Sequence, residues 1–369
     1  MSMNENLISK TEKGSANRRI VYLDFIRVIA CILVVMVHIS AQQIEDFSVD
    51  SVQFIITNSF NCLAFTGVAL FVMISGALAL NPQKEVGIKS MLMHKTMHFF
   101  ILYYIWKAFY QVVDLLDKGA CFTFQNIKND IILALIQKHG YYHLWFLPMI
   151  AILYMIVPIV KKSVAEKNVC MYFLCVFFVT ALLVPTMFNF EFKFKYLVVD
   201  FFAANDFYLF GGYLGYFILG HSLHSWGGKL TKGMRIMLYG MGLVSFLLAV
   251  ILGALHAQSA GHPTYIMNTP FAATTFFIAA AIFVNIQAIG EKTDSLWKAE
   301  KVLTFGAGTT FGIYLLHPLI ILLLSKIGVK TALCTPLLSI PLLTIGTILL
   351  CVPVTVLWSK VPFLRKLIQ

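Results

Sequence analysis

Tyr22-Leu-Asp-Phe-Ile-Arg-Val-Ile-Ala-Cys-Ile-Leu-Val-Val-Met-Val-His38 is an apolar run interrupted by three ionisable side chains. With its flanks, 21–40, it exceeds the roughly 17 residues a helix needs to cross a hydrocarbon core of about 30 Å. Asp24, Arg27 and His38 would then lie at membrane depth, where each is costly to keep. Arg27 and His38 are eleven residues apart, about 1,100° of helical rotation, so they point within about 20° of one direction. Roughly 16 Å of helix axis separates them. Asp24 precedes Arg27 by three residues and can pair with it. Two readings follow. In one, Asp24 and Arg27 snorkel to the inner headgroups and His38 caps the outer end. In the other, a polar stripe faces an internal cleft, and an arginine and a histidine on one face favour this second reading.

The rest of the chain has the same character. Of 369 residues 59% are hydrophobic and 12% charged, with a mean hydropathy of +0.81. Soluble domains carry roughly 25% charged residues, so this chain lacks the polar surface that water requires. Further apolar runs of spanning length lie at 52–80, 91–113, 141–160, 168–187, 206–223, 234–256, 268–289, 302–324 and 336–358. Lipid offers no partner to unpaired backbone groups, and the alternation of barrel strands is absent, so the runs are read as helices. The expected fold class is all-α, a polytopic membrane protein of about ten transmembrane helices. The run at 52–80 is long enough to tilt or to begin at the interface.

Basic residues orient the spans. With ten, one side of the membrane receives both termini and 18 Lys/Arg, the other side 7, while Arg27, Lys95 and Lys107 fall within helices. That bias places both termini in the cytoplasm and accounts for the formal charge of +11 without a nucleic-acid partner. The expected division is a polar cytoplasmic tail over 1–20, a membrane domain over 21–360 and a short cytoplasmic tail over 361–369, with no soluble domain appended. The first run is read as a retained helix and not a cleaved signal, since nine more follow and no small-x-small site precedes them. Seven cysteines, at 31, 62, 121, 170, 175, 334 and 351, form no CxxC pair and suggest neither redox chemistry nor a zinc site.

Four blocks carry a resemblance to a known family. The first run, with arginine, ten residues and then histidine, resembles the opening helix of the acyltransferase family 3 membrane proteins. Phe71-Val-Met-Ile-Ser-Gly76 resembles their second-helix block. Tyr142-His-Leu-Trp-Phe-Leu-Pro148, followed by Leu153-Tyr-Met-Ile-Val-Pro158, resembles a third. Phe311-Gly-Ile-Tyr-Leu-Leu-His-Pro318 resembles a late fourth, so the likeness runs over 20–360 in the expected order. The pattern is nearest to the subgroup containing the O-acetyltransferase of enterobacterial common antigen. The resemblance implies a multi-pass enzyme of the bacterial inner membrane, moving an acetyl group from acetyl-coenzyme A to a hydroxyl of a cell-surface or lipid-linked glycan. It implies no metal, and its partners are membrane lipid and the glycan acceptor.

The family often places two arginines three residues apart at the cytoplasmic start of the third helix, thought to engage the acyl-coenzyme A. Here that stretch reads His94-Lys-Thr-Met-His98. Lys95 and His98 keep the spacing without a guanidinium fork for phosphate, and Lys95 also reads as a positive-inside anchor. His38, Arg27 and Asp24 are the expected catalytic residues: an imidazole as base or transient acyl carrier, and a cation to position the donor or stabilise charge. Topology sets His38, His143 and His317 at similar depth toward the outer side. His143, Trp145 and His317 are accordingly candidate substrate-binding residues. Against this, His143 and Trp145 also fit an interfacial aromatic belt, and His317 fits helix packing ahead of Pro318.

Other features are given plainer readings. His94 and His98 lack a third metal ligand. His221 and His224 sit at a helix end, where imidazole meets the dipole. Gly211, Gly212, Gly215, Gly220, Gly240 and Gly242 suit close helix approach. Glu191, Asp200 and Asp206 read as a solvated loop before they read as sugar contacts. The rival function is a secondary transporter or flippase for a lipid-linked glycan, which would use intramembrane charge but normally shows inverted repeats. No internal symmetry of that kind is seen, and a purely structural scaffold would not retain charge at membrane depth.

Overall fold

The structure is a computed structural model that describes residues 20–42, 44–82, 87–119, 140–191, 195–196, 212–292, 298–330 and 334–368. Residues 1–19, which hold nearly all of the expected N-terminal tail, and Asp200, Asp206 and Gly211 lie outside the described residues. Within them the chain is helical: α1 (Val21–Ala41), α2 (Val52–Ala64), α3 (Thr66–Ala79), α4 (Ile88–Asp117), α5 (Phe146–Ser163) and α6 (Lys167–Met187). There follow α7 (Gly212–Trp226), α8 (Lys232–Ala260), α9 (Ala273–Lys292), α10 (Glu300–Lys326), α11 (Pro336–Lys360) and α12 (Pro362–Ile368). Helices α2 and α3 form one span. Nine spans among the described residues are long and apolar enough to cross a membrane. The protein is thus an all-α, polytopic membrane protein. The tenth expected run, 206–223, corresponds to α7, whose 15 described residues fall short of spanning length. The segment expected as a C-terminal tail forms α12, where Ile368 is buried and the Leu367 carbonyl accepts a bond from Trp106 Nε1 at 3.1 Å.

Helix α1 is the hub. It packs against α2, α3, α9, α10 and α11. The spans Val21–Asp46, Val52–Ala79 and Glu300–Lys326 are each 61% buried by protein, against 22% for α4 and α8, so the first three are inner and the last two outer. On α8 the exposed residues Leu243, Val244, Leu247, Leu248, Ile251 and Leu255 form the kind of apolar face that a bilayer covers.

Lipid tails are as apolar as leucine, so membrane helices associate through close packing and interhelical hydrogen bonds. Both devices are present. Gly76 of α3 meets the backbone of Phe217, and Gly220 of α7 meets the backbone of Met73, so these two helices touch main chain to main chain. Gly215 lies on the Phe177 ring and Gly242 against Ala281, as close approach requires. Gly212 and Gly240 depart from that expectation, because nothing lies within 4 Å of a Cβ placed at either. Polar ties join the inner helices: Asn61 Nδ2 donates to Ser40 Oγ at 2.9 Å and Asn268 Nδ2 to Asn58 Oδ1 at 3.1 Å. His224, expected simply to meet a helix dipole, instead hydrogen-bonds the Tyr22 hydroxyl and ties the end of α7 to the start of α1.

A Cβ at Gly220 must push two backbones apart, and overpacking of this kind costs about 1–3 kcal/mol. Gly220→Ala is expected to lower the thermal midpoint of the detergent-solubilised protein. Gly240→Ala should leave it unchanged or raise it, since alanine is favoured over glycine in a helix by up to about 1 kcal/mol. Monodisperse protein recovered by size exclusion after heating reads both.

Candidate active site

Arg27 and His38 line the same cavity. It has a volume of about 390 Å³, and its wall also takes Val34 and Val37 of α1, Ser75 of α3, Trp145 beside α5 and Thr310 of α10. Internal sites for small ligands commonly measure about 300–1,000 Å³. The stripe on α1 therefore faces a cleft, and the snorkelling reading is set aside.

At one end, Asp24 Oδ1 accepts from Arg27 Nη1 at 3.4 Å. Asp24 is buried and does not reach the cavity wall. Its carboxylate lies behind the guanidinium, which keeps a side-chain exposure of 28% and faces the cavity. Tyr154 and Ser75 share the cavity wall with Arg27, and Ser75 Oγ donates to the Phe71 carbonyl at 2.9 Å.

At the other end three imidazoles converge. His317 stacks on His38 with ring centroids 5.0 Å apart and planes at 27°. His143 lies 5.5 Å from His317, edge to face. The Tyr142 ring is 4.9 Å from His38 on a further side. His317 is fully buried and His143 is 2% exposed, so neither is an interfacial belt residue. Residues 142–145 form turns ahead of α5 and carry His143 inward. Tyr314 holds that turn in place by donating its hydroxyl to the His143 carbonyl at 2.6 Å. Tyr110 likewise donates to the Leu315 carbonyl at 2.6 Å and packs 4.9 Å from the His143 ring. His317 Nδ1 lies 3.1 Å from the Ile313 carbonyl, so Nδ1 carries the proton and donates. The next residue, Pro318, has no N–H to give and interrupts the ladder there.

That leaves polar atoms over. His317 Nε2 and both ring nitrogens of His143 are buried without a hydrogen-bond partner among the described residues. Buried polar groups are nearly always paired, so three orphans beside one cavity mark a place built for polar chemistry. Trp145 is half-exposed, lines the cavity, and lies 5.3 Å from Tyr213. Among the described residues no three His, Cys, Asp or Glu side chains are arranged to hold a metal ion. The six described cysteines are all free.

The pair Lys95 and His98 is divided. Lys95 is exposed on a π-helical segment, Met91–Thr96. His98 lines a second cavity of about 400 Å³ together with Lys360, Arg365 and Lys366 from α11 and α12. Those three cations had been read simply as orienting charge. No spacing in the sequence joins them to His98, because α12 has to fold back before they meet. Tyr110, Tyr142 and Tyr314 were likewise missed as supports of the imidazoles, since each lies on a different segment from the histidine it supports or touches and no local spacing joins them. Phe99, the chain neighbour of His98, lines the first cavity.

Residues 20–356 match the family described as an acyltransferase domain, acyltransferase 3. No curated protein and no solved structure matches the chain.

If Asp24 holds Arg27 in place, their contributions are coupled. A double-mutant cycle on Asp24→Asn and Arg27→Gln should show a coupling energy of about 0.5–3 kcal/mol in unfolding measurements. Additive effects would show that the two residues act separately.

Proposed function

The chain belongs to the acyltransferase 3 family, and from that premise we propose that it is a membrane-bound O-acetyltransferase, carrying acetyl from acetyl-coenzyme A to a hydroxyl of a cell-surface or lipid-linked glycan. The observation that carries this reading is the single cavity on α1, with a cation at one end and a cluster of imidazoles at the other. The acetyl group, the glycan class and a place in a bacterial inner membrane follow from the motif resemblance, including the likeness to the subgroup containing the enterobacterial common antigen O-acetyltransferase. The distribution of basic residues supports cytoplasmic termini, and hence entry of the donor from the cytoplasm.

In this reading His38 accepts the proton of the acceptor hydroxyl as its oxygen attacks the thioester carbonyl carbon. The C–O bond forms, the C–S bond breaks, and the proton passes from His38 to the departing sulfur, so the free thiol of coenzyme A leaves. His317, stacked on His38, is a positioning residue that fixes the ring plane, and His143 supports His317. Arg27 lies roughly 16 Å along the helix from His38 and so does not touch the same carbonyl. It suits a role in binding the far part of the donor, with Asp24 holding it. The apolar wall between the two ends suits the pantetheine arm and excludes water from the reacting thioester. His98, Lys360, Arg365 and Lys366 form a basic cavity suited to the donor's phosphates. Trp145, at the open side of the first cavity, suits contact with the acceptor.

Purified protein in detergent, given acetyl-coenzyme A and acceptor, should release free thiol. His38→Ala should lower that rate by about 10²–10⁴-fold, the usual worth of a general base. Arg27→Gln should raise the KM for acetyl-coenzyme A more than it lowers kcat. A transporter or flippase would release no thiol, and wild-type rates in normally expressed His38→Ala protein would overturn the assignment of the base.

A further inference from the structure

Lys107 is an intramembrane cation that the reaction above does not use. It sits in the middle of α4, 4% exposed, and a charge at such a position is rarely retained without work to do. It lines a separate cavity of about 260 Å³ with Tyr110, Gln111, Asp114, Tyr141 and Tyr142. Lys107, Gln111 and Asp114 fall at i, i+4 and i+7, on one face of the helix. The two tyrosines face them from the turn after Gly140.

We propose that this cavity is the acceptor subsite and takes a single polyhydroxylated ring, a monosaccharide unit of the glycan. Three observations carry it. The first is the chemistry of the wall. It offers an ammonium donor, a primary amide that both donates and accepts, a carboxylate acceptor, and phenols, within one small volume. Asp114 Oδ2 is already held by Lys118 at 2.6 Å, so the carboxylate is fixed in direction. The second is the rigidity of the wall: the Tyr110 and Tyr141 rings stack at 4.4 Å and 21°, which holds the Tyr141 and Tyr142 turn in place beside the polar groups. The third is position. Tyr142 lines this cavity, His38 lines the other, and their rings are 4.9 Å apart. Tyr142 thus separates this cavity from the base by one side chain, so that a rotation of its ring would bring a hydroxyl held there to His38, while the sugar ring that bears it stays outside the donor's cavity.

The subsite deepens the proposed acetyl transfer and rests on it for its purpose, but binding can be read without turnover. Saturation-transfer NMR on the full chain in detergent, with N-acetylglucosamine and methyl α-rhamnoside as probes, is expected to give transfer from at least one sugar. Gln111→Ala with Asp114→Ala should reduce that signal at least 5-fold, and Lys107→Met should reduce it too. His38→Ala and Lys360→Ala should leave it in place. The Gln111/Asp114 variant should elute as monodisperse protein at the wild-type position by size exclusion, which shows that it folds; both positions are half-buried, so the test does not hang on Lys107→Met folding. No transfer from either sugar, or equal transfer from wild type and the double variant, would overturn the subsite. Absence of thiol release from wild type with transfer intact would instead count against the acetyl transfer and leave the sugar site standing.

Discussion

A cation and an imidazole carried on a membrane-spanning helix cannot face acyl chains, and the rest of the structure follows from that constraint. Helix α1 bears both on one face, so it has to be surrounded. Five other helices pack around it. Its remaining surface is apolar and close-packed, with Ile26, Ala30 and Val35 fully buried, while the polar face looks into a cavity. The outer helices need no such internal partners, and α8 accordingly leaves a broad apolar face exposed.

Convergence of the three histidines needs more than a shared depth. Each arrives by a different local device. His38 comes straight from helical periodicity. His143 depends on the chain turning at 141–145 before α5 begins, and on the Tyr314 hydroxyl gripping its carbonyl. His317 depends on its Nδ1 bond to Ile313, at the turn where Pro318 breaks the ladder. The tyrosines are thus structural partners of the imidazoles: Tyr110 and Tyr314 each spend a buried hydroxyl on a backbone carbonyl, which removes a polar cost and fixes a position at once.

The cavities divide the polar groups by chemistry. Basic side chains from α11 and α12 gather around His98, apolar walls with a single guanidinium enclose the central space, and a mixed polar wall stands beside Tyr142. Phe99 of the central cavity's wall is the chain neighbour of His98, and Tyr142 of the third cavity's wall touches His38 of the central one.

Hydropathy and charge made much of this legible without coordinates. Long apolar runs fixed helices because lipid admits no other backbone, and Arg27 and His38 were legible as one stripe because a helix returns to its starting direction after eleven residues. The near-equal depth of the histidines also followed from alternating spans. What stayed hidden was everything that depends on two distant segments touching. Only packing could show that Asp24 stands behind Arg27 and away from the cavity, that His143 is enclosed and not a belt residue, or that Gly240 meets nothing while Gly220 meets a backbone. The meeting of His98 with Lys360, Arg365 and Lys366, and of Lys107 with Tyr142, likewise required the fold. Periodicity acts within one helix and is written in local spacing; which faces meet is decided by how all the helices close-pack together, and no local spacing encodes that.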